Sequence, residues 1–361
     1  MPVNPVTCDS ILSSDLVCAS LRRRHRHARV ANLLVGAGTA LVLVGLLAIP
    51  LYLMSALGSS HAATPVDWTR LGVLFAGSLR ATACAMAVAL PLGIATAMFN
   101  AHLCAPRLRA WLKPALEVLD AIPSVVFGLV AAVSFAPWLK THVASMLAFV
   151  VALPCMLLAC GFAFGASSRR DGWLPLWLLP LVVATAALVF ALASQREVAM
   201  LQPSSPWNAM LVGLALGVAA LPLVFSVAED ALFLVPHSDA QAAFALGATR
   251  WQALTTVILP AAGSGLFAAA LLGFMRCFGE TMIVLMASGN TAIAGFDPLS
   301  GLRSLGADIA LGMPDAAPAS AAWRDLLIAA LVLLALNMLF GVTAQLVRER
   351  LRRRMPAETA A

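Results

Sequence analysis

The sequence predicts an all-α integral membrane protein, a polytopic bundle of about eight membrane-spanning helices. Composition is the first observation: 61% of the 361 residues are hydrophobic and 11% are charged, where a soluble domain is nearer about a quarter charged. The second is that apolar runs long enough to cross a bilayer, about 18 residues or more, recur along the whole chain. The third is that these runs lack the apolar–polar alternation of membrane strands, so they read as helices and not as a barrel.

Residues 1–30 form a basic tail. Its first 20 residues carry no pattern that predicts structure, and Arg22, Arg23, Arg24, Arg26 and Arg29 then abut the first apolar run. That run, near 31–57, reads as an anchor followed by an exterior loop to residue 70. A cleaved signal peptide is the rival reading, but the run is longer than a typical signal-peptide core and Ser60-His61-Ala62 makes a poor cleavage site. Further spans near 71–99, 115–138, 143–165, 173–194, 207–233, 261–288 and 323–347 make up a transmembrane domain over 71–347. Residues 348–361 are a second basic tail, headed by Arg348, Arg350, Arg352, Arg353 and Arg354.

Alternating these spans from a cytoplasmic N-terminus puts both basic tails, Arg107, Arg109, Lys113, Arg169, Arg170 and Arg250 inside. Only Arg70, Lys140, Arg196, Arg303 and Arg324 then fall outside. This asymmetry is the topogenic one and predicts both termini in the cytoplasm. It also accounts for the net charge of +6 without a nucleic-acid partner, since no aromatic-interleaved soluble domain accompanies the basic clusters. Membrane lipid is the expected surrounding. Trp68, Trp138, Trp207 and Trp323 near predicted span ends fit interfacial anchoring. The longest exterior loop, 289–322, holds two stretches, 302–305 and 307–310, that predict a short surface helix.

Several functions are excluded. The seven cysteines are scattered without a CxxC pair or a His partner and read as small buried hydrophobes. No metal or other cofactor is expected, and no Ser/His or paired-carboxylate constellation lies within the spans, which argues against an enzyme. No GxxxxGK[ST] loop is present, so a nucleotide-driven step needs another chain.

Between two spans, residues 235–260 bring Pro236, a run of small residues, Gly247 and a helix-competent stretch closed by Leu259-Pro260. Gly247 predicts a tight turn, and Pro260 a restart of the chain at the membrane entry. Two short surface helices with a small-residue face, open to a close-fitting partner, follow from this pattern. Gln241-Ala242-Ala243-x-x-x-Gly247, then nine residues, then Val257-x-Leu259-Pro260 resembles the EAA coupling motif of ABC-importer permeases, with Gln241 in place of Glu and Val257 in place of Ile. The resemblance implies a type I importer permease fold. It also implies that Gln241, Ala242, Ala243, Gly247, Leu259 and Pro260 belong to a segment that docks on a separate ATPase.

The next span carries Arg276 and Glu280, where lipid-facing charge is costly. At about 1.5 Å per residue Arg276 lies about 24 Å past Pro260, beyond the midplane of a core about 30 Å thick. Glu280 follows on nearly the same helix face, and Arg80 in the second span lies at similar depth. Two readings are open: a buried Arg–Glu bridge that locks helices, or an electropositive path on which Arg276 and Arg80 receive an anion and Glu280 holds Arg276 in place.

Gly273-x-x-Arg276-x-x-Gly279-Glu280-Thr281, Val284-Leu285-Met286-Ala287-x-Gly289-Asn290, Pro106-Arg107-Leu108-Arg109, Ile122-Pro123-Ser124-Val125-Val126-x-Gly128 and Ser226-Val227-Ala228-Glu229-Asp230 together resemble the Pst-type phosphate permeases, closer to their PstC subunit than to PstA. The resemblance implies a phosphate path lined by Arg276, Glu280 and Arg80. Ile122, Pro123 and Ser124 offer two readings, a candidate gate or the simple kink that a proline within or near a span makes. It implies four kinds of component: this permease, a PstA-like permease, two PstB-like ATP-binding subunits and a PstS-like extracytoplasmic phosphate-binding protein. Two rivals stay open: the same machine carrying sulfate or molybdate, and a secondary transporter without an ATPase, which leaves the 241–260 spacing unexplained.

Overall fold

The computed structural model describes residues 6–58, 65–103, 106–146, 148, 188, 205–295, 297–318 and 320–354. Among them helix is the only regular secondary structure. Among the described residues six helices are long and apolar enough to cross a membrane: Asn32–Gly58, Trp68–His102, Ser124–Met146, Ala209–Phe233, Arg250–Gly279 and Ala321–Val347. The expected span near 173–194, and most of that near 143–165, lie outside the described residues.

The chain divides into two compact units, Met1–Ser60 and His61–Ala361. The first holds α1 (Val6–Gly58), a helix with Pro50 inside it. Its start at Val6 departs from the sequence pattern, which predicted no structure over the first 20 residues.

The second unit opens with α2 (Trp68–Met98), capped by Asp67, whose carboxylate accepts from the Arg70 N–H at 3.0 Å. A π-helical turn, Phe99–Leu103, extends α2. Next come α3 (Pro106–Ala121) and α4 (Ser124–Val130), with α4 continuing through a π-helical turn at Ala131–Phe135. Later elements are α5 (Ala209–Phe233), α6 (His237–Ala245), α7 (Leu259–Gly279), α8 (Met282–Ala287), α9 (Leu305–Gly312) and α10 (Ala321–Arg354).

The core is the seam of α2, α5 and α7, where glycines let the helices close on one another. A Cβ added at Gly217 would sit 2.9 Å from the Ala85 carbonyl oxygen, and one at Gly273 would sit 2.6 Å from Val224 Cγ2. Such small-residue contacts drive helix association where lipid removes the hydrophobic incentive. Around them Ala85, Leu211, Leu216, Val224, Phe225 and Ile283 are fully or almost fully buried. Phe274 and Phe278 of α7 pack on Phe340 of α10 with ring centroids 5.0 and 6.3 Å apart.

Four sequence expectations change. The span expected at 115–138 is broken at Pro123, whose extended backbone (ψ 135°) caps α4; α3 becomes a separate amphipathic helix and the span runs from Ser124 to Met146. The span expected at 261–288 begins earlier and ends at Gly279. Pro260 does not restart the chain: a three-residue turn, Arg250–Gln252, runs through a π-helical stretch, Ala253–Ile258, straight into α7. The wider π turn accommodates a proline whose ring and missing N–H would otherwise break the helix. Finally, α9 is not a surface helix. Its first turn is buried, with Ala307 at 0% and Asp308 at 2% exposure.

Candidate functional site

Two neighbouring helix breaks build the first site. α7 stops at Gly279; Glu280 takes an extended backbone (ψ 128°), and its carboxylate accepts from the Met282 N–H at 3.3 Å, closing the start of α8. α3 stops at Ala121, before the exposed Ile122 and Pro123 and the half-buried Ser124. The segments after the breaks pack together, since a Cβ at Gly128 of α4 would sit 3.2 Å from the Ile283 Cα. The segments before them are joined by an ion pair, Arg276 Nη2 to Asp120 Oδ1 at 3.1 Å, with the two side chains 38% and 48% exposed.

The structure thus brings Arg276, Glu280 and the Ile122-Pro123-Ser124 break together. It does not pair Arg276 with Glu280: the helix ends between them, and Glu280 serves its own following turn. Side chains near Arg276 are drawn into packing: Cys277 and Phe278 are buried, and Phe274 packs edge-to-face on Phe340 of α10.

Arg80 also departs from expectation. It is 3% exposed, and its guanidinium donates to the Gly295 carbonyl (3.0 Å), the Ser300 hydroxyl (2.9 Å) and the Gly301 carbonyl (2.6 Å). It holds the loop at Gly295, Ser300 and Gly301 against α2. The same loop is tied down by the Leu305 N–H donating to Ser78 Oγ (2.9 Å) and by Asp308, which ion-pairs Arg70 and Arg303 at 2.9 Å each.

The second site is the 235–260 segment. α6 ends in a complete glycine-closed cap: the Gly247 N–H donates to the Phe244 carbonyl and the Ala248 N–H to the Ala243 carbonyl, both at 3.0 Å, with Gly247 at φ +84°. This is the Schellman arrangement, and it needs a left-handed residue at that position. Thr249 and Gln252 then form a reciprocal capping box for the next turn. Gln241 and Ala242 are exposed, Ala243 is buried, and Leu246 projects from the turn at 90% exposure. Beside α6 lies a cleft of about 440 Å³ whose lining includes His102, Phe233, Pro236, Gln241, Phe244 and Arg250.

Sequence reasoning missed two groups. Asp120, the partner of Arg276, is one. Glu229 is the other: buried to 2%, it accepts from Asn100 Nδ2 at 2.6 Å and faces Arg109 Nη2 and Lys113 Nζ at 3.8 and 3.9 Å. Arg109 also lies over the Phe233 ring at 4.4 Å. A carboxylate near the end of an apolar span was the available signal. Glu229 pins the first half of α3 to α5, beside the cleft.

Residues 89–355 match the family model described as binding-protein-dependent transport system inner membrane component. The chain is 26% identical over 320 residues to the probable ABC transporter permease protein YqgH of Bacillus subtilis, covering 86% of this chain and 84% of that one. It is 27% identical over 295 residues to the phosphate transport system permease protein PstC 2 of Mycobacterium tuberculosis (78% and 79% covered). To PstC of Mesorhizobium japonicum it is 26% identical over 277 residues (74% and 71% covered). With a helical membrane fold and a family match over most of its length, the chain belongs to the inner membrane components of binding-protein-dependent transport systems, as a transporter subunit and not an enzyme.

Proposed function

We propose that this chain is a permease subunit of an ATP-driven phosphate importer, with both termini on the cytoplasmic side of a bacterial inner membrane. The observation that carries the substrate is the alignment, over most of both chains, with proteins named phosphate transport system permease PstC. A PstS-like binding protein delivers phosphate outside, a PstA-like permease completes the path, and two PstB-like subunits supply ATP hydrolysis. α6 and its glycine turn, carrying Gln241, Ala242, Ala243 and Gly247, form the docking handle, and the π turn to Leu259 and Pro260 links it to α7.

On the path, Arg276 offers a planar donor fork that suits an oxyanion. Glu280 holds the break that ends α7 beside it. Ile122, Pro123 and Ser124 act as the gate, and Arg80 supports the site from behind by fixing the exterior loop. Half exposure of Arg276 supports weak binding, which a conduit needs in order to release its cargo.

The test is uptake of [32P]phosphate by vesicles holding the complex purified through this chain. The expected result is ATP-dependent uptake that excess sulfate or molybdate does not compete, with an ATPase and a second permease co-purifying. Competition by sulfate would reassign the cargo to another oxyanion. Uptake without an associated ATPase would refute the ATP-driven reading.

A further inference from the structure

We infer that Asp120 is a displaceable counter-ion of Arg276: its carboxylate occupies the place of the transported anion at rest and competes with it for the same guanidinium. The inference rests on the reading of Arg276 as part of the path, and it adds a residue that tunes how strongly the path holds its cargo.

Three observations carry it. First, Asp120 is the only acidic group within ion-pairing distance of Arg276 among the described residues, at 3.1 Å, and both side chains remain half open. A carboxylate offers the guanidinium fork what a phosphate oxygen pair offers. Glu280, the other candidate partner, is engaged with the Met282 N–H.

Second, Asp120 is the penultimate residue of α3. A carboxylate at a helix C-terminus faces the negative end of the helix dipole. The helix end therefore does not favour a carboxylate at Asp120, and among the described residues its ion-pair partner is Arg276.

Third, α3 is fastened at its other half and hinged at this one. Arg109 and Lys113 face the buried Glu229. Directly after Asp120 and Ala121 the chain breaks at the exposed Ile122 and Pro123. The break leaves that end of α3 uncoupled from α4, so a small tilt of α3 about its Glu229 anchor moves Asp120 away from Arg276 while Arg109 and Lys113 stay beside Glu229. Anion arrival and Asp120 departure are then one exchange at one cation, so that an empty path does not leave the Arg276 charge unpaired.

The experiment is equilibrium binding of [32P]orthophosphate to the complex in nanodiscs, purified with the subunits it retains from its native membrane and without the soluble binding protein. Asp120→Asn removes the competing charge and keeps the side-chain volume. It should bind phosphate about fivefold more tightly than the wild type, the worth of a half-exposed ion pair, while Asp120→Glu should restore wild-type affinity. Unchanged, weaker or undetectable binding by Asp120→Asn would overturn the proposal; a lower unfolding temperature without tighter binding would make Asp120 a structural lock only. Arg276→Ala separates this failure from that of the path itself. If Arg276→Ala and the double variant bind phosphate as the wild type does, Arg276 is not on the path. If Arg276→Ala loses binding while Asp120→Asn gains none, the path stands and the counter-ion role falls.

Discussion

Gly247 gives the proposed coupling segment a test whose size follows from its geometry. Its φ of +84° lies in the left-handed region, and a Cβ added there would meet nothing within 4 Å. Any cost of substitution is therefore backbone strain, with no clash to confuse it. A non-glycine residue in this region costs about 1–2 kcal/mol, less for Asn, whose side chain bonds locally. Since about 1.4 kcal/mol is tenfold in an equilibrium constant, Gly247→Ala should lower the ratio of closed to open turn by about 5- to 30-fold. Gly247→Asn should lower it less, and the β-branched Gly247→Val more. The turn stands at the exposed end of α6, and its one buried contact is the short Ala243 side chain, so the membrane bundle should keep its unfolding temperature. The assay is the amount of ATPase subunit retained on affinity-purified complex, with phosphate moved per ATP hydrolysed as a second readout. The order Gly, Asn, Ala, Val is expected in both. Equal retention and equal coupling across the series would refute the reasoning, because the turn would then tolerate loss of its left-handed residue.

Other perturbations probe the elements around the site. Glu229→Ala leaves the buried Asn100 amide without its acceptor; a loss of about 1–3 kcal/mol is expected, read as a lower unfolding temperature in detergent, with Glu229→Gln intermediate. The cations at Arg109 and Lys113 are half exposed and rehydrate, so a much larger loss would contradict this estimate. Arg80→Ala removes the donor shared by Gly295, Ser300 and Gly301; about 3 kcal/mol of destabilisation is expected, together with faster limited proteolysis between residues 291 and 303, and unchanged cleavage would contradict the anchoring role. Gly217→Ala drives a Cβ against the Ala85 carbonyl and should cost about 1–3 kcal/mol. The matching control, Gly263→Ala, has open space and should be neutral or stabilising by about 0.5–1 kcal/mol; thermal unfolding of the two variants side by side checks the sign.

Local devices were legible in the sequence because their causes are local. The turn at Gly247 follows from a glycine between two helical stretches, and the structure supplies its cap bonds. The helical membrane class followed from run length and the lack of strand alternation. Errors arose where one local signal hid another. The window 115–138 was read through Pro123, although Glu117 and Asp120 already marked 106–121 as amphipathic and not as half of a span. Pro260 by itself signals a restart of the chain, although a π turn before it can absorb the proline.

Non-local pairings were the harder part. Arg80 binds two backbone carbonyls, which no side-chain pattern displays. Arg276 chose Asp120 over the nearby Glu280, because a break after Gly279 redirects the chain and sends Glu280 to its own next turn. Sequence proximity favoured the wrong partner, and only the packing of α4 on α8 brings the two breaks together.

The central claim, that the guanidinium of Arg276 carries the anion, is tested most directly by phosphate uptake in vesicles holding the complete complex with Arg276→Ala or Arg276→Lys. Loss of uptake by Arg276→Ala, with subunit stoichiometry and unfolding temperature at the wild-type level and partial recovery in Arg276→Lys, is the predicted result. Full uptake by the assembled Arg276→Ala complex would contradict the account.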